Sequence, residues 1–214
     1  MEVDLAHARS ELVAFRNWCR EGLGAFLTRY PADATRLGDL RALLEMDVSL
    51  RSRQTMPGHV TASALIFAPE RDSILLIHHR RLGRWLQPGG HVEAGEFPLA
   101  AARREVAEEV GLEDLEYLPA FEADPSLPLD IDSHSIPANA RKGEPAHMHH
   151  DFLYVMIMPA NHPAALKPQP SEIIEAAWVE VNGAKRDKIP HSLLRAIDRL
   201  FKATSLTQNG ISQA

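Results

Sequence analysis

The 214 residues, 45% of them hydrophobic, suffice for one sizeable core with an appendage and exclude two full domains. A formal net charge of −6, from 29 acidic and 23 basic residues, excludes a general attraction to nucleic acid, membrane or other polyanions, so a local site must draw any anionic ligand. The single Cys19 excludes an internal disulfide, and the absence of a signal-like start and of any apolar run near the ~18 residues of a membrane span makes a soluble, cytoplasmic protein the expectation.

Residues 1–55 read as a helical extension. Leu5, Leu12, Phe15, Cys19, Leu23, Phe26 and Leu27 recur at three- and four-residue steps until Pro31 breaks the pattern, and Leu37, Leu40, Leu43, Leu44 and Met46 mark a second helical stretch. These stripes suit either of two roles, a cap on the following domain or a homodimer contact. Cys19 reads as a small packing residue lying outside the core of that following domain.

At Pro57-Gly58 the texture changes to short apolar runs, and residues 56–205 read as one domain. Strands are expected at 61–68 and 74–77, joined by the turn Pro69-Glu70-Arg71-Asp72 as a hairpin. A short segment at Trp85-Leu86 leads to Pro88-Gly89-Gly90, and a helix is expected from Pro98 to Val110, with Pro98 in its first turn and Gly111 beyond its end. Five prolines between 119 and 146 predict a long loop. A strand over 149–158, a Pro-rich loop, a strand over 177–181 and a helix over 190–202 follow, with 206–214 expected to be a flexible tail.

The chemistry concentrates between Gly90 and Leu112, which read Gly90-x5-Glu96-x7-Arg104-Glu105-Val106-x-Glu108-Glu109-Val110-Gly111-Leu112. On a helix, Glu105, Glu108 and Glu109 share one face by their three- and four-residue spacing, while Leu99, Ala102, Val106 and Val110 anchor a neighbouring face, leaving the acids turned outward. Clustered carboxylates repel one another unless a cation neutralises them, and a hard dication such as Mg²⁺ takes oxygen ligands together with water and phosphate oxygens. The glycines before the helix let backbone approach a metal or phosphate closely, and Arg104 stands where it can hold a carboxylate.

This pattern resembles the Nudix box of the Nudix hydrolase family at every specified position. The resemblance extends to Gly58-His59-Val60-Thr61-Ala62-Ser63-Ala64, to the run His78 to His91, and to Ile136-Pro137 and His147-Met148-His149-His150-Asp151, so it covers about residues 56–182. It implies an α/β fold, a Nudix-type α/β/α sandwich around a mixed sheet, preceded here by the helical extension. It also implies that Glu105, Glu108, Glu109 and the Gly89 carbonyl hold Mg²⁺, or alternatively Mn²⁺, with Arg104 and Glu96 orienting the site. Glu105, Arg104 and Glu109 are then the catalytic candidates. The general base stays open between Glu105 and a carboxylate or histidine outside the box.

Outside the box, His134, His147, His149 and His150 fall within 17 residues. On a strand His147, His149 and Asp151 point one way and His150, Phe152 and Tyr154 the other. Three readings stand: a second metal site of the imidazole kind, phosphate contact or base catalysis by a histidine such as His149, or solvated polar residues. Arg80 and Arg84 are candidate anion contacts and Arg141-Lys142-Gly143 a weaker one; Trp85 suits packing better than base stacking. Asp130 and Asp132 fit turn chemistry or oxygen ligation, and Glu172 and Glu175 read as loop acids that could add a carboxylate.

The expected activity is metal-dependent hydrolysis of a diphosphate linkage in a nucleotide or nucleoside-diphosphate derivative, by water attack on phosphorus. The expected partner is that small molecule, with neither nucleic acid nor membrane. The alternatives are a silent nucleotide-sensing Nudix module and an enzyme like isopentenyl-diphosphate isomerase, which needs a reactive cysteine.

Overall fold

The apolar stripe at the start of the chain forms α1 (Glu2–Arg29), which stops ahead of a 3₁₀ turn at Pro31–Ala34 and the short α2 (Gly38–Leu44). The computed structural model describes residues 2–118, 124, 126–140, 143–160 and 165–211, and only the backbone of 2–6, 8 and 203–211. Phe15, Cys19, Leu23 and Phe26 of α1 are buried in the same apolar cluster as Val60, Ala62, Phe152 and Tyr154. Burial is worth roughly 1.5–3 kcal/mol for a large apolar side chain, so the core holds α1 in place more than helix propensity does. The capping role of the extension is therefore the one seen, and Cys19 lies inside the core, not outside it as expected. A register that brings α1 over the sheet is a tertiary event that the stripe alone does not reveal.

Among the described residues eight strands form one mixed sheet. They are β1 (Gly58–Phe67), β2 (Ser73–His79), β3 (Arg84–Leu86), β4 (Gly89–His91), β5 (Glu116–Tyr117), β6 (Asp130–Ile136), β7 (His147–Ile157) and β8 (Ile173–Glu180). The main path runs β3-β2-β1-β7-β5, with β4 paired to β1, β6 to β7 and β8 to β2. The β1–β7 pair is parallel, from Gly58↔Met148 to Phe67↔Ile157, and the other pairs are antiparallel. Every residue of β1 is buried, as befits a strand covered on both faces.

Alternation then builds two cores. Val60, Ala62, Ala64 and Ile66 of β1, with Phe152, Tyr154 and Met156 of β7, meet α1 and the helix α3 (Pro98–Val110). Leu65 and Phe67, with Leu153, Val155 and Ile157, meet Leu193, Ala196 and Ile197 of α4 (His191–Ile211) on the other side. The result is the expected sandwich of helices about a mixed sheet.

Most elements fall where the sequence places them, α3 with its predicted bounds. Gly111 closes α3 in the left-handed region (φ 72°), its N–H bonding the Ala107 carbonyl at 3.0 Å. Two expectations are corrected. The region 119–146 is not loop throughout, because β6 pairs with β7 from Asp130↔Leu153 to Ile136↔His147. Its Asp, Ser and His residues hide a strand whose polar groups find partners across the sheet. The last helix also continues past residue 202 to Ile211. Residues 119–123, 125, 141–142 and 212–214, which include parts of the predicted loop, Arg141-Lys142 and the end of the expected tail, lie outside the described residues.

Asp130 ties three parts of the chain together. It is 2% exposed and meets Arg36 at 2.9 Å, Arg195 at 2.8 Å and Arg199 at 2.6 Å. Asp33 receives Arg36 at 2.9 Å and a further bond from Arg199, while Asp132 receives Arg195 at 2.8 Å. The extension, β6 and α4 thus share one charged network, and the turn role considered for Asp130 and Asp132 gives way to ion pairing. Among the described residues no helix is long and apolar enough to cross a membrane.

Candidate active site

The half of β1 that carries His59, Thr61 and Ser63 faces an open cleft of about 1240 Å³. Here β1 is bordered by β4 through Thr61↔His91, Ala62↔Gly90 and Ser63↔Gly89. The α3 carboxylates reach the cleft past these glycines. Gly90 approaches Glu105 so closely that a Cβ there would sit 2.4 Å from a carboxylate oxygen, and the Gly89 N–H donates to Glu109 Oε2 at 3.0 Å. The close approach anticipated for the glycine turn is therefore made to the acids of the box.

The three acids do not share one environment. Glu109 is 5% exposed and belongs to the buried face of α3, whereas the Glu108 side chain is 53% exposed. The expectation that all three turn outward is corrected: helical spacing fixes the angle between side chains but not which of them meets the Gly89 N–H. Burial chiefly raises the Glu109 carboxyl to about 8; the Gly89 bond opposes this, and Glu105, Glu172 and Glu108 add to it. Burial also raises Glu105, against the hydrogen bond and charge of Arg104. These are groups a cation would stabilise in their ionised form.

Arg104 organises the acids. Its guanidinium donates to Glu96 at 2.7 Å, Glu105 at 3.0 Å, Glu108 at 3.1 Å and the His91 carbonyl at 2.8 Å. The Glu96 hydrogen bond leads in raising its pKa, against the cost of burial. Glu96 also accepts the Glu93 N–H at 2.6 Å, which clamps the segment ahead of α3. Arg104 and Glu96, the pair expected to orient the site, are thus bonded to each other.

Arg53, Arg80, Arg81 and Arg84 line the cleft and supply the local positive charge that the overall balance lacks. Arg80 bonds the Pro170 carbonyl through Nε at 3.1 Å. Trp85 packs on His78 with ring centres 5.3 Å apart and beneath Lys188 at 4.1 Å, so it serves packing. Glu172 lines the cleft, which the sequence reading undervalued; Glu175 does not. Cys19 is not among the cleft residues, and burial pushes its thiol far up, which removes the nucleophile an isomerase requires.

The histidine strand divides as its alternation predicts. His147, His149 and Asp151 face the cleft, whereas His150 is buried and bonds Ser133 Oγ at 2.8 Å. His59 and His91, given no role in the sequence reading, join the cleft group because β1 lies between β4 and β7 and pairs with both. Burial, reinforced by neighbouring positive or protonatable groups, lowers His59 to about 4, His91 to about 3 and His149 to about 2. The Thr55 backbone opposes this at His59 without making a well-formed hydrogen bond. Asp151 is buried and accepts Thr61 Oγ1 at 2.9 Å and Ser63 Oγ at 2.5 Å.

A family model described as "NUDIX domain" matches residues 57–200, beginning one residue after the expected boundary and reaching into α4. A "Probable DHNTP pyrophosphohydrolase" of Lactococcus lactis subsp. cremoris (strain MG1363) is 32% identical over 117 residues, which are 55% of this chain and 64% of that protein. Less than two thirds of that relative's length is therefore matched. Among solved structures, the dihydroneopterin triphosphate pyrophosphohydrolase of E. coli superposes with a TM-score of 0.50 at 21% identity, covering 65% of this chain and 92% of that one, a likeness of fold. A NUDIX family hydrolase from Clostridium perfringens gives a TM-score of 0.47 at 25% identity over 68% and 97% of the two chains. With the family model matched across two thirds of its length, from β1 into α4, the chain belongs to the Nudix family.

Proposed function

We propose that this chain hydrolyses a diphosphate linkage in a small molecule, a nucleotide or nucleoside-diphosphate derivative, with divalent metal and by water attack on phosphorus. The observation that carries the reading is the pair of carboxylates, half-buried Glu105 and buried Glu109, set against the Gly89-Gly90 turn beside an arginine-edged cleft. The donor set fits a hard ion: Glu105, Glu108 and Glu109 offer oxygens, and among the described residues the raised Glu105 pairs with Arg104 while the raised Glu109 has no ion pair. Mg²⁺, or Mn²⁺ in its place, would be held by these three with the Gly89 carbonyl. When bound it would screen phosphate charge and acidify a water.

The geometry supports the following part for the protein's own residues. Arg104 occupies Glu105 Oε1, leaving Oε2 to accept the proton of the attacking water. Arg80 and Arg84 hold the phosphates, and His149 lines the same cleft. The leaving group lies against the residues around Ile136-Pro137, which also line the cleft. The relative named as a probable DHNTP pyrophosphohydrolase makes a pterin triphosphate one substrate to try. The cytoplasm is the compartment we assign, on the composition alone.

Turnover of a panel containing dihydroneopterin triphosphate, nucleoside triphosphates, dinucleotides and nucleotide sugars, run in ¹⁸O-water with Mg²⁺ or Mn²⁺, tests the reading. Label in a phosphate product with at least one substrate is expected. Tight binding without turnover would favour a nucleotide sensor. Arg104→Gln should lower kcat roughly 10–100-fold and raise the metal concentration needed, because it frees three carboxylates from their common support; an unchanged metal dependence would show that Arg104 does not position them.

A further inference from the structure

The cleft holds a second constellation, of which the diphosphate reading touches only His149. We propose that His59, His91 and His149 form a site for a late first-row transition-metal dication of the zinc class, separate from the carboxylates of α3. One ring nitrogen from each of the three lies within 4.8 Å of the others, and among the described residues this is the group of potential ligands drawn together so closely. The acids of the box are not. Metal–nitrogen bonds of ~2.0–2.1 Å put the nitrogens of a tetrahedral ion roughly 3.3 Å apart, so the widest gap closes by about 1.5 Å shared between two rings.

Sheet register brings the rings together. His59 lies directly beside His149 in the β1–β7 pair, and His91 lies beside Thr61 in the β4–β1 pair, two residues along from His59. Ligands on three paired strands are held more firmly than ligands on loops. The ordinary alternative is a stack of packed histidines, and His59 argues against it. It is 0% exposed, yet neither ring nitrogen has a partner in hydrogen-bond geometry. A histidine buried only for packing would be bonded, since an unpaired buried polar group is costly. An ion supplies the missing partner.

His147 stands beside the remaining position. Its Nδ1 lies 2.9 Å from the Pro145 carbonyl, an acceptor only, so the proton is on Nδ1 and the lone pair on Nε2. That Nε2 is 3.2 Å from Nε2 of His149, and the ring stacks on His59 at 5.0 Å. A backbone carbonyl fixing one nitrogen while the other is presented is the usual support of a metal-binding histidine. The set contains imidazole and no carboxylate, which suits zinc-like ions and not Mg²⁺. The two sites adjoin through His91, whose carbonyl accepts from Arg104.

The test is titration of the metal-stripped full chain with Co²⁺ in excess Mg²⁺. One equivalent is expected to bind, with the visible absorption of nitrogen-ligated, low-coordinate cobalt, and Zn²⁺ should displace it. His91→Ala and His149→Ala, both only half-buried positions, should each weaken binding roughly 10–100-fold, with folding checked by circular dichroism. Cobalt-shifted imidazole resonances of the unaltered protein, counted by NMR, should come from at least three rings and need no variant. Glu108→Gln should leave cobalt binding intact while hydrolysis falls, so failure here and failure of the diphosphate reading are told apart. No stoichiometric cobalt binding, fewer than three shifted rings, or unchanged affinity in both histidine variants would overturn the site.

Discussion

Glu109→Gln is expected to lower kcat for metal-dependent hydrolysis about 10²–10³-fold while the protein stays folded. The substitution keeps the shape and removes the charge. A metal-held oxygen is worth several kcal/mol in a transition state that gathers charge on phosphate, and each 1.36 kcal/mol is tenfold in rate. Gln retains an oxygen to accept the Gly89 N–H, so the turn and α3 should keep their contact.

The stability of the same variant gives a second, independent readout. The Glu109 carboxyl rises in the folded state from an ordinary 4.5 to about 8, so between those values the folded protein keeps a proton that the unfolded chain has released. Its contribution to stability is present below about pH 4.5 and is lost as pH rises through about 8. In metal-free buffer, therefore, the unaltered protein should lose melting temperature across this range more steeply than Glu109→Gln. The variant should be at least as stable at pH 8. Equal pH slopes, or a variant with full turnover, would remove Glu109 from the role assigned to it.

Asp130→Ala should produce a large loss of stability for a single change outside the core, up to roughly 3–5 kcal/mol, because it takes the shared buried acceptor from three partly buried arginines. At about 2–4 °C per kcal/mol for a chain of this size, melting should fall by roughly 6–20 °C. Exposed pairs such as Arg20 with Glu45 offer a control, since breaking them should cost no more than about 1 kcal/mol. The contrast follows from position: Asp130 is the shared acceptor of Arg36, Arg195 and Arg199, and two of these also hold Asp33. A melting temperature within about 2 °C of the parent would show that the arginines find other partners.

What could be read from the sequence is what depends on near neighbours along the chain. α3 is announced by Pro98, by Gly111 and by the apolar positions between them, and the stripe from Phe15 to Phe26 marks the buried face of α1. The box shows that Glu105, Glu108 and Glu109 share a helix. It does not show that Glu109 turns in, because its partner is the Gly89 N–H, twenty residues away. β6 is hidden because Asp130, Asp132 and His134 meet partners on α4 and β7, which no local pattern can supply. The histidine group is the extreme case. His59, His91 and His149 lie on three strands, and only the pairing of those strands makes them neighbours.

The parallel pairing of β1 with β7 also bears on how the molecule comes into being. β1 is complete at Phe67, but the strand it needs begins at His147, about eighty residues later. A nascent chain therefore holds a ten-residue strand, apolar over much of its length, with one edge open while the intervening segment is made. Closing so long a loop is slow relative to local helix formation. The early helix α1, whose Phe15, Cys19, Leu23 and Phe26 share the cluster of Val60, Ala62 and Ala64, is available to shield that strand in the interval. A segment to which no catalytic role is assigned would then serve as an internal escort, guarding the first-made strand from its neighbours on the ribosome until its permanent partner arrives.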